Sequence, residues 1–176
     1  MQNKVLSSRN GALILLLVLV VFTLLMNIGG FQGNRVLPWL SYIIIVLGIM
    51  LLVTKYGKDL NNSVSFGNLF AYGFKTTAIL TIFFVAFSVL FYMTFPEYKD
   101  QLLEISKQNA LKDAPADKRE QMEKGMEMFK RFFWVGMIAG ILISFAILGA
   151  LGSVIGAAVA KKNPNAFQDD VNQIGQ

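Results

Sequence analysis

The chain has no cysteine and no histidine, and charged residues make up only 15% of its 176 positions. Without cysteine no disulfide forms, and zinc sites built on Cys or His are excluded. Imidazole general bases and the triads that depend on them are excluded as well. No metal and no cofactor is expected. The scarcity of charge is the more informative gap, since an ordinary soluble domain is about 25% charged. No Asp, Glu, Lys or Arg occurs between Arg9 and Arg35, Arg35 and Lys55, Lys75 and Glu97, or Arg131 and Lys161.

What fills those gaps is apolar. Hydrophobic residues reach 55%, with a mean hydropathy of +0.54. A bilayer core of roughly 30 Å takes about 20 apolar residues in helical form. The charge-free stretches predict four transmembrane helices near 11–30, 36–54, 76–96 and 134–160. A buried helix of a soluble protein is usually shorter and keeps a polar edge, whereas these are apolar all round. Lys4 and Arg9 precede the first run as they would precede a secretory signal. That run lasts about 20 residues against the 7–15 of a signal core, and it ends in NIGGFQGN with no A-x-A site, so a retained helix is expected. The reading is an all-α, single-domain four-helix membrane bundle.

No ionisable side chain falls inside a span, which argues against a coupled transporter or pump. Asn27, Thr81, Ser88, Thr94 and Ser144 are the main polar groups within or near the spans. The hydroxyls can bond to their own helix, while Asn27 needs a partner elsewhere. The formal charge of +5 sits at helix ends rather than in one patch, so membrane anchoring explains it and no nucleic acid is expected.

Four spans place both termini and the loop 55–75 on one side, with Lys4, Arg9, Lys55, Lys58, Lys75, Lys161 and Lys162. The short first loop opposite carries only Arg35. Positive residues near span ends favour the cytoplasm, so both termini are expected inside. The third loop, 97–131, has eight basic residues of its own, but only Lys99, Lys130 and Arg131 lie near a span end. Trp39, Tyr42, Tyr92, Phe95, Phe132, Phe133 and Trp134 all fall at one interface in this layout, where amphipathic rings prefer to lie.

That third loop reads as an extramembrane helical hairpin. Tyr98, Leu102 and Ile105 repeat at helical spacing on one side, and Met122, Met126, Phe129 and Phe133 on the other. KDAPAD separates them, with Asp113 as a cap and Pro115 in a first helical turn. The third helix is expected to run on past the membrane, bent near Pro96, and the fourth to begin before it enters. The two stripes are expected to pack on each other; the Met and Phe row is alternatively a surface for a partner or for lipid. Glu120, Glu123 and Glu127 share a face, but the interleaved Lys and Arg favour a solvated charge surface over a cation site.

The last span is rich in small residues: Gly136, Gly140, Ser144, Gly149, Gly152, Ser153 and Gly156. In lipid, helices associate through close van der Waals contact, and small residues let backbones approach. These positions are expected to make the fourth helix the central packing element, its upper and lower halves meeting different neighbours. A homodimer contact is the alternative.

KYGKDLNNSVSFGNLFAYGFKTTAI, residues 55–79, carries Ser65, Phe66, Gly67, Phe70 and Gly73 after a short basic loop. With the EKGMEMFK run and the Lys161–Lys162 pair, it resembles small bacterial four-span membrane proteins classed as a domain of unknown function, family four-one-nine-nine. The resemblance implies a multi-pass protein of a bacterial inner membrane and supplies no catalytic residues. On the residues themselves, Ser65 caps a helix, with Phe66, Phe70 and Tyr72 at the interface. The tail NPNAFQDDVNQIGQ reads as a polar end. The function expected is non-enzymatic: a structural, accessory or assembly component in contact with the bilayer and with a membrane protein partner or a second copy. A channel or facilitator for a small solute is the alternative, and a lipid-acting enzyme comes third.

Overall fold

A computed structural model describes residues 5–31, 34 and 36–160. Lys4, Arg35, Lys161, Lys162 and the polar tail 161–176 lie outside the described residues. Among those described, the secondary structure is entirely helical: α1 Ser8–Ile28, α2 Leu37–Asp59, α3 Phe66–Thr94, α4 Pro96–Asp113, α5 Arg119–Arg131 and α6 Phe133–Val159, with a 3-10 turn at Ala116–Lys118.

The ends of these helices follow from local chemistry. Ser7 Oγ accepts from the Asn10 N–H at 3.2 Å and starts α1. Asn34 Oδ1 accepts from the N–H groups of Val36 and Leu37 at the start of α2. At the other end of α2, Asn61 and Asn62 turn left-handed, with φ of 53° and 54°. Asparagine tolerates that region, and the turn lets the Asn62 N–H reach back to Gly57 O at 2.8 Å. Ser65 Oγ accepts from Asn68 N–H at 3.3 Å and caps α3. That cap starts the helix ten residues before the predicted span, so α3 has 29 residues. At 1.5 Å per residue it is about 44 Å long, well beyond the hydrocarbon core.

The third helix does not run on past Pro96. α3 ends at Thr94, Phe95 adopts φ −125° and ψ 72°, and α4 starts afresh with proline in its first turn. Proline drives the preceding residue out of helical geometry, which produces a break where a bend was expected. The fourth helix is interrupted in the same manner at Phe132, with φ −105° and ψ 23°, so α5 and α6 are separate. Asp113 is the last residue of α4, and α5 begins at Arg119 after Lys118, whose side chain makes no cap bond.

α1, Trp39–Asp59 of α2, α3 and α6 are each long and apolar enough to cross a membrane. Together they mark a multi-pass membrane protein. α2 and α3 form the centre, each touching the other three apolar helices. α6 docks on α2 and α3, while α1 lies across the same pair and makes at most marginal contact with α6. α6 thus makes the two most extensive helix contacts in the bundle, as expected of a central packing element, although only α2 and α3 touch all three of the other apolar helices. Leu19, Ile45, Ile49, Val53 and Leu80 are almost fully buried there.

Gly67 and Gly125 test this arrangement, because a Cβ at Gly67 meets only Ser65 Oγ at 3.9 Å and one at Gly125 meets nothing within 4 Å. Gly67→Cys and Gly125→Cys, made singly in this cysteine-free chain, are expected to lie on opposite faces of the bilayer. In intact cells a membrane-impermeant maleimide should label one and spare the other. Equal labelling of both would show that α3 does not cross.

Candidate functional site

The terminal-side half of α6 is a close-packed seam. A Cβ at Gly149 would collide with Thr77 of α3, and one at Gly73 of α3 would fall 2.6 Å from Val53 Cγ2 and against Ser153. Each glycine thus faces a hydroxyl residue across the α3–α6 contact. Both hydroxyls are satisfied within their own helices: Thr77 Oγ1 donates to Gly73 O at 3.0 Å, and Ser153 Oγ to Gly149 O at 2.6 Å. On the neighbouring row, a Cβ at Gly152 would lie 2.8 Å from Val46 O, and one at Gly156 would lie 2.9 Å from Met50 O. Those are backbone atoms of α2. Gly149 and Ser153 therefore serve α3, while Gly152 and Gly156 serve α2.

Gly136, Gly140 and Ser144 behave differently. A Cβ at Gly140 would meet nothing within 4 Å, and one at Gly136 only the Phe129 ring at 3.1 Å. Their assignment to helix packing is corrected: α1 does not close on α6, so the upper row has no helix to receive. It opens instead onto a cavity of about 440 Å³ bounded by α1, α2, α3, α4 and α6. The buried Leu19, Ile45 and Phe145 form its floor at mid-height. Asn27, Tyr42 and Tyr92 stand nearer the helix ends, and Leu102 reaches over from α4. Asn27 finds one partner on its own helix, donating from Nδ2 to Thr23 O at 2.7 Å. Tyr92 meets Phe133 edge-on at 5.9 Å, and Phe91 stacks on Tyr98 at 5.6 Å, tying α3 to α6 and to α4 beside the cavity.

The connection between α3 and α6 does not bury its stripes against each other. Leu103 is the buried residue of α4, rather than Tyr98, Leu102 or Ile105, and α5 has none among those described. Met122 and Phe129 are each 39% exposed and Met126 is half-buried, whereas Phe133 is buried in α6. Leu103 and Met126 sit in a groove edged by Asp100, Glu104, Lys107 and Glu127. Lys124 pairs with Glu120 at 2.8 Å on the open face. Among the described residues no group of three or more acids gathers as a metal site would.

Of the residues at 65–73, Ser65 is the cap already described, Phe66 is exposed and Phe70 half-buried, Gly67 lies open and Gly73 is in the seam. Tyr72 faces into the bundle. It is 6% exposed and its ring stacks on Tyr56 at 4.0 Å and 8°, because an inward position on α3 takes it into the bundle. Spacing alone did not reveal the cavity; the unsatisfied half of the small-residue row was its one trace in the sequence.

Residues 9–162 match the model of the family described as Protein of unknown function (DUF4199), in agreement with the resemblance carried by residues 55–79. No curated protein and no solved structure matches the chain.

The two halves of α6 should respond oppositely to the same change. Gly152→Ala forces a methyl group onto the α2 backbone and should cost about 1–3 kcal/mol. Gly140→Ala meets open space and should stabilise by about 0.5–1 kcal/mol, since glycine is the poorer helix former. Reversible unfolding in mixed micelles measures both, and equal losses would remove the distinction.

Proposed function

The chain belongs to that family of unknown function, and from this premise we propose that it is a non-enzymatic accessory or assembly component of a bacterial inner membrane. Its termini face the cytoplasm in this reading, supported by Lys55, Lys58 and Lys75 at the terminal-side ends of α2 and α3. The α4–α5 arm then stands on the outer face.

The observation that carries the reading is α5 itself. Its apolar row, Met122, Met126 and Phe129, contributes no fully buried side chain, and Met128 beside it is 64% exposed. Flexible methionines beside an aromatic ring adapt to the surface of another protein. Basic and acidic residues edge the row, as at an interface rim. We take the occupant to be a membrane protein, either a second copy of the chain or a different subunit.

A channel is less well supported. The cavity is the path it would use, and that path ends on Leu19, Ile45 and Phe145, below which Gly149, Gly152 and Gly156 are closely packed.

Met122→Ser, Met126→Ser and Phe129→Ser combined should leave the melting temperature within a few degrees of wild type, since none of the three is fully buried. A photo-crosslinker at Phe129 should capture a membrane protein in intact cells, and the triple variant with the crosslinker at Met128 should lose that adduct. Adducts to lipid alone would make α5 a membrane-surface helix and overturn the assignment.

A further inference from the structure

Two aliphatic hydroxyls in the cavity lack the helix-internal bond that six other serine and threonine side chains of the spans make. Thr54, Thr76, Thr77, Thr81, Ser88 and Ser153 each donate to the carbonyl four residues back, at 2.6–3.0 Å. That local bond is how a hydroxyl avoids standing unpaired in hydrocarbon. Thr23 of α1 and Ser144 of α6 both line the cavity, and neither hydroxyl takes a hydrogen-bond partner among the described residues. They approach it from two helices that hardly touch. An unpaired hydroxyl surrounded by apolar walls is costly, and a ligand oxygen would relieve both.

We infer that this cavity binds an uncharged lipid, with carbonyl oxygens at its polar end and a hydrocarbon tail. Three observations set the class. The hydroxyls of Thr23 and Ser144 supply donors, which carbonyl oxygens match. The surrounding surface is apolar and aromatic, with Phe84 stacked on Phe145 at 5.1 Å, which suits a hydrocarbon or flat-ring body. No Asp, Glu, Lys or Arg lines it among the described residues, so a charged headgroup would meet no counter-charge there. A volume of about 440 Å³ falls within the usual range for small-molecule sites, about 300–1,000 Å³. Gly136 and Gly140 supply the room, and the hydroxyls supply the recognition. The cavity is open rather than sealed, so a ligand can enter, and Leu19, Ile45 and Phe145 limit how deep it reaches.

Carbonyl oxygens on a neutral lipid occur as glycerol esters or as a quinone ring, and one experiment separates the two. The full chain is reconstituted into phosphatidylcholine nanodiscs containing dioleoylglycerol, a decyl-tailed benzoquinone, or phosphatidylglycerol, and bound lipid is measured by native mass spectrometry. One of the two neutral probes is expected to be retained above the phosphatidylcholine background, and which one identifies the source. Ser144→Ala and Thr23→Val should each weaken that retention about two- to tenfold, the range for one lost hydrogen bond. Gly140→Leu should abolish it by filling the space, and since its Cβ meets no atom of a neighbouring element within 4 Å the variant should still fold, which its melting profile checks. Gly125→Leu, outside the cavity, should change nothing. The inference is overturned if neither neutral probe exceeds background, if phosphatidylglycerol is preferred, or if a folded Gly140→Leu protein keeps the probe. It stands apart from the role given to α5, and neither result decides the other.

Discussion

Inside a bilayer, two helices hold together only as well as their surfaces fit, since the lipid they displace is as apolar as they are. In this protein the fit is made where glycine meets a hydroxyl residue twice over, Gly73 against Ser153 and Gly149 against Thr77. The hydroxyls contribute shape rather than cross-linking, because each spends its proton on its own helix. The contact therefore requires no interhelical hydrogen bond, a term worth only about 0.6 kcal/mol on average in membranes. It requires closeness, and any added methyl group removes it. Beside it, Gly152 and Gly156 bring α6 against the α2 backbone in the same way.

The position of every other element follows from that seam. With α6 fixed to α2 and α3 at the terminal-side half, and α1 lying on the same pair, the two outer helices are held apart. A bundle of four long helices is then tight at one end and open at the other. The same residue type has opposite consequences in the two halves. Where a neighbouring helix is present, a glycine gives contact; where it is absent, as at Gly140, a glycine gives space. What decides between them is the path of α1, which the residues of α6 do not encode.

This sets the limit on what could be read from the chain. The four apolar helices were legible because charges mark their ends, and a charge in hydrocarbon is too costly to occur casually. The cap at Ser65 was legible too, since the side chain acts within three residues of itself. Membership of the family could be read from short motifs for the same local reason. Long-range facts were not available in this way. Helical spacing does not reveal that Tyr72 stacks on the Tyr56 ring of another helix. Spacing likewise paired Tyr98, Leu102 and Ile105 with the Met and Phe row, whereas Leu103 is the residue of α4 that shares a groove with Met126. The cavity depends on where α1 and α6 fail to meet, and the small residues Gly136, Gly140 and Ser144 do not by themselves tell contact from space.

The breaks at Phe95 and Phe132 explain how a polar arm can be joined to an apolar bundle without loosening it. A continuous α3 would carry Tyr98 and Leu102 straight out into water on one side of its axis. By ending at Phe95 and restarting on Pro96, the chain turns α4 so that Tyr98 stacks back on Phe91 and Leu102 reaches the cavity wall. On the return, Phe133 is the first residue after the second break, and it lies buried edge-on to Tyr92. The root of the arm is thus held by aromatic contacts, whereas its far part has little buried surface and ends in charge. Because Leu102 belongs both to the arm and to the cavity wall, any force that displaces the root of α4 changes the shape of the cavity. The stability of that wall therefore rests on the Phe91–Tyr98 contact rather than on the polar residues that make up most of the arm.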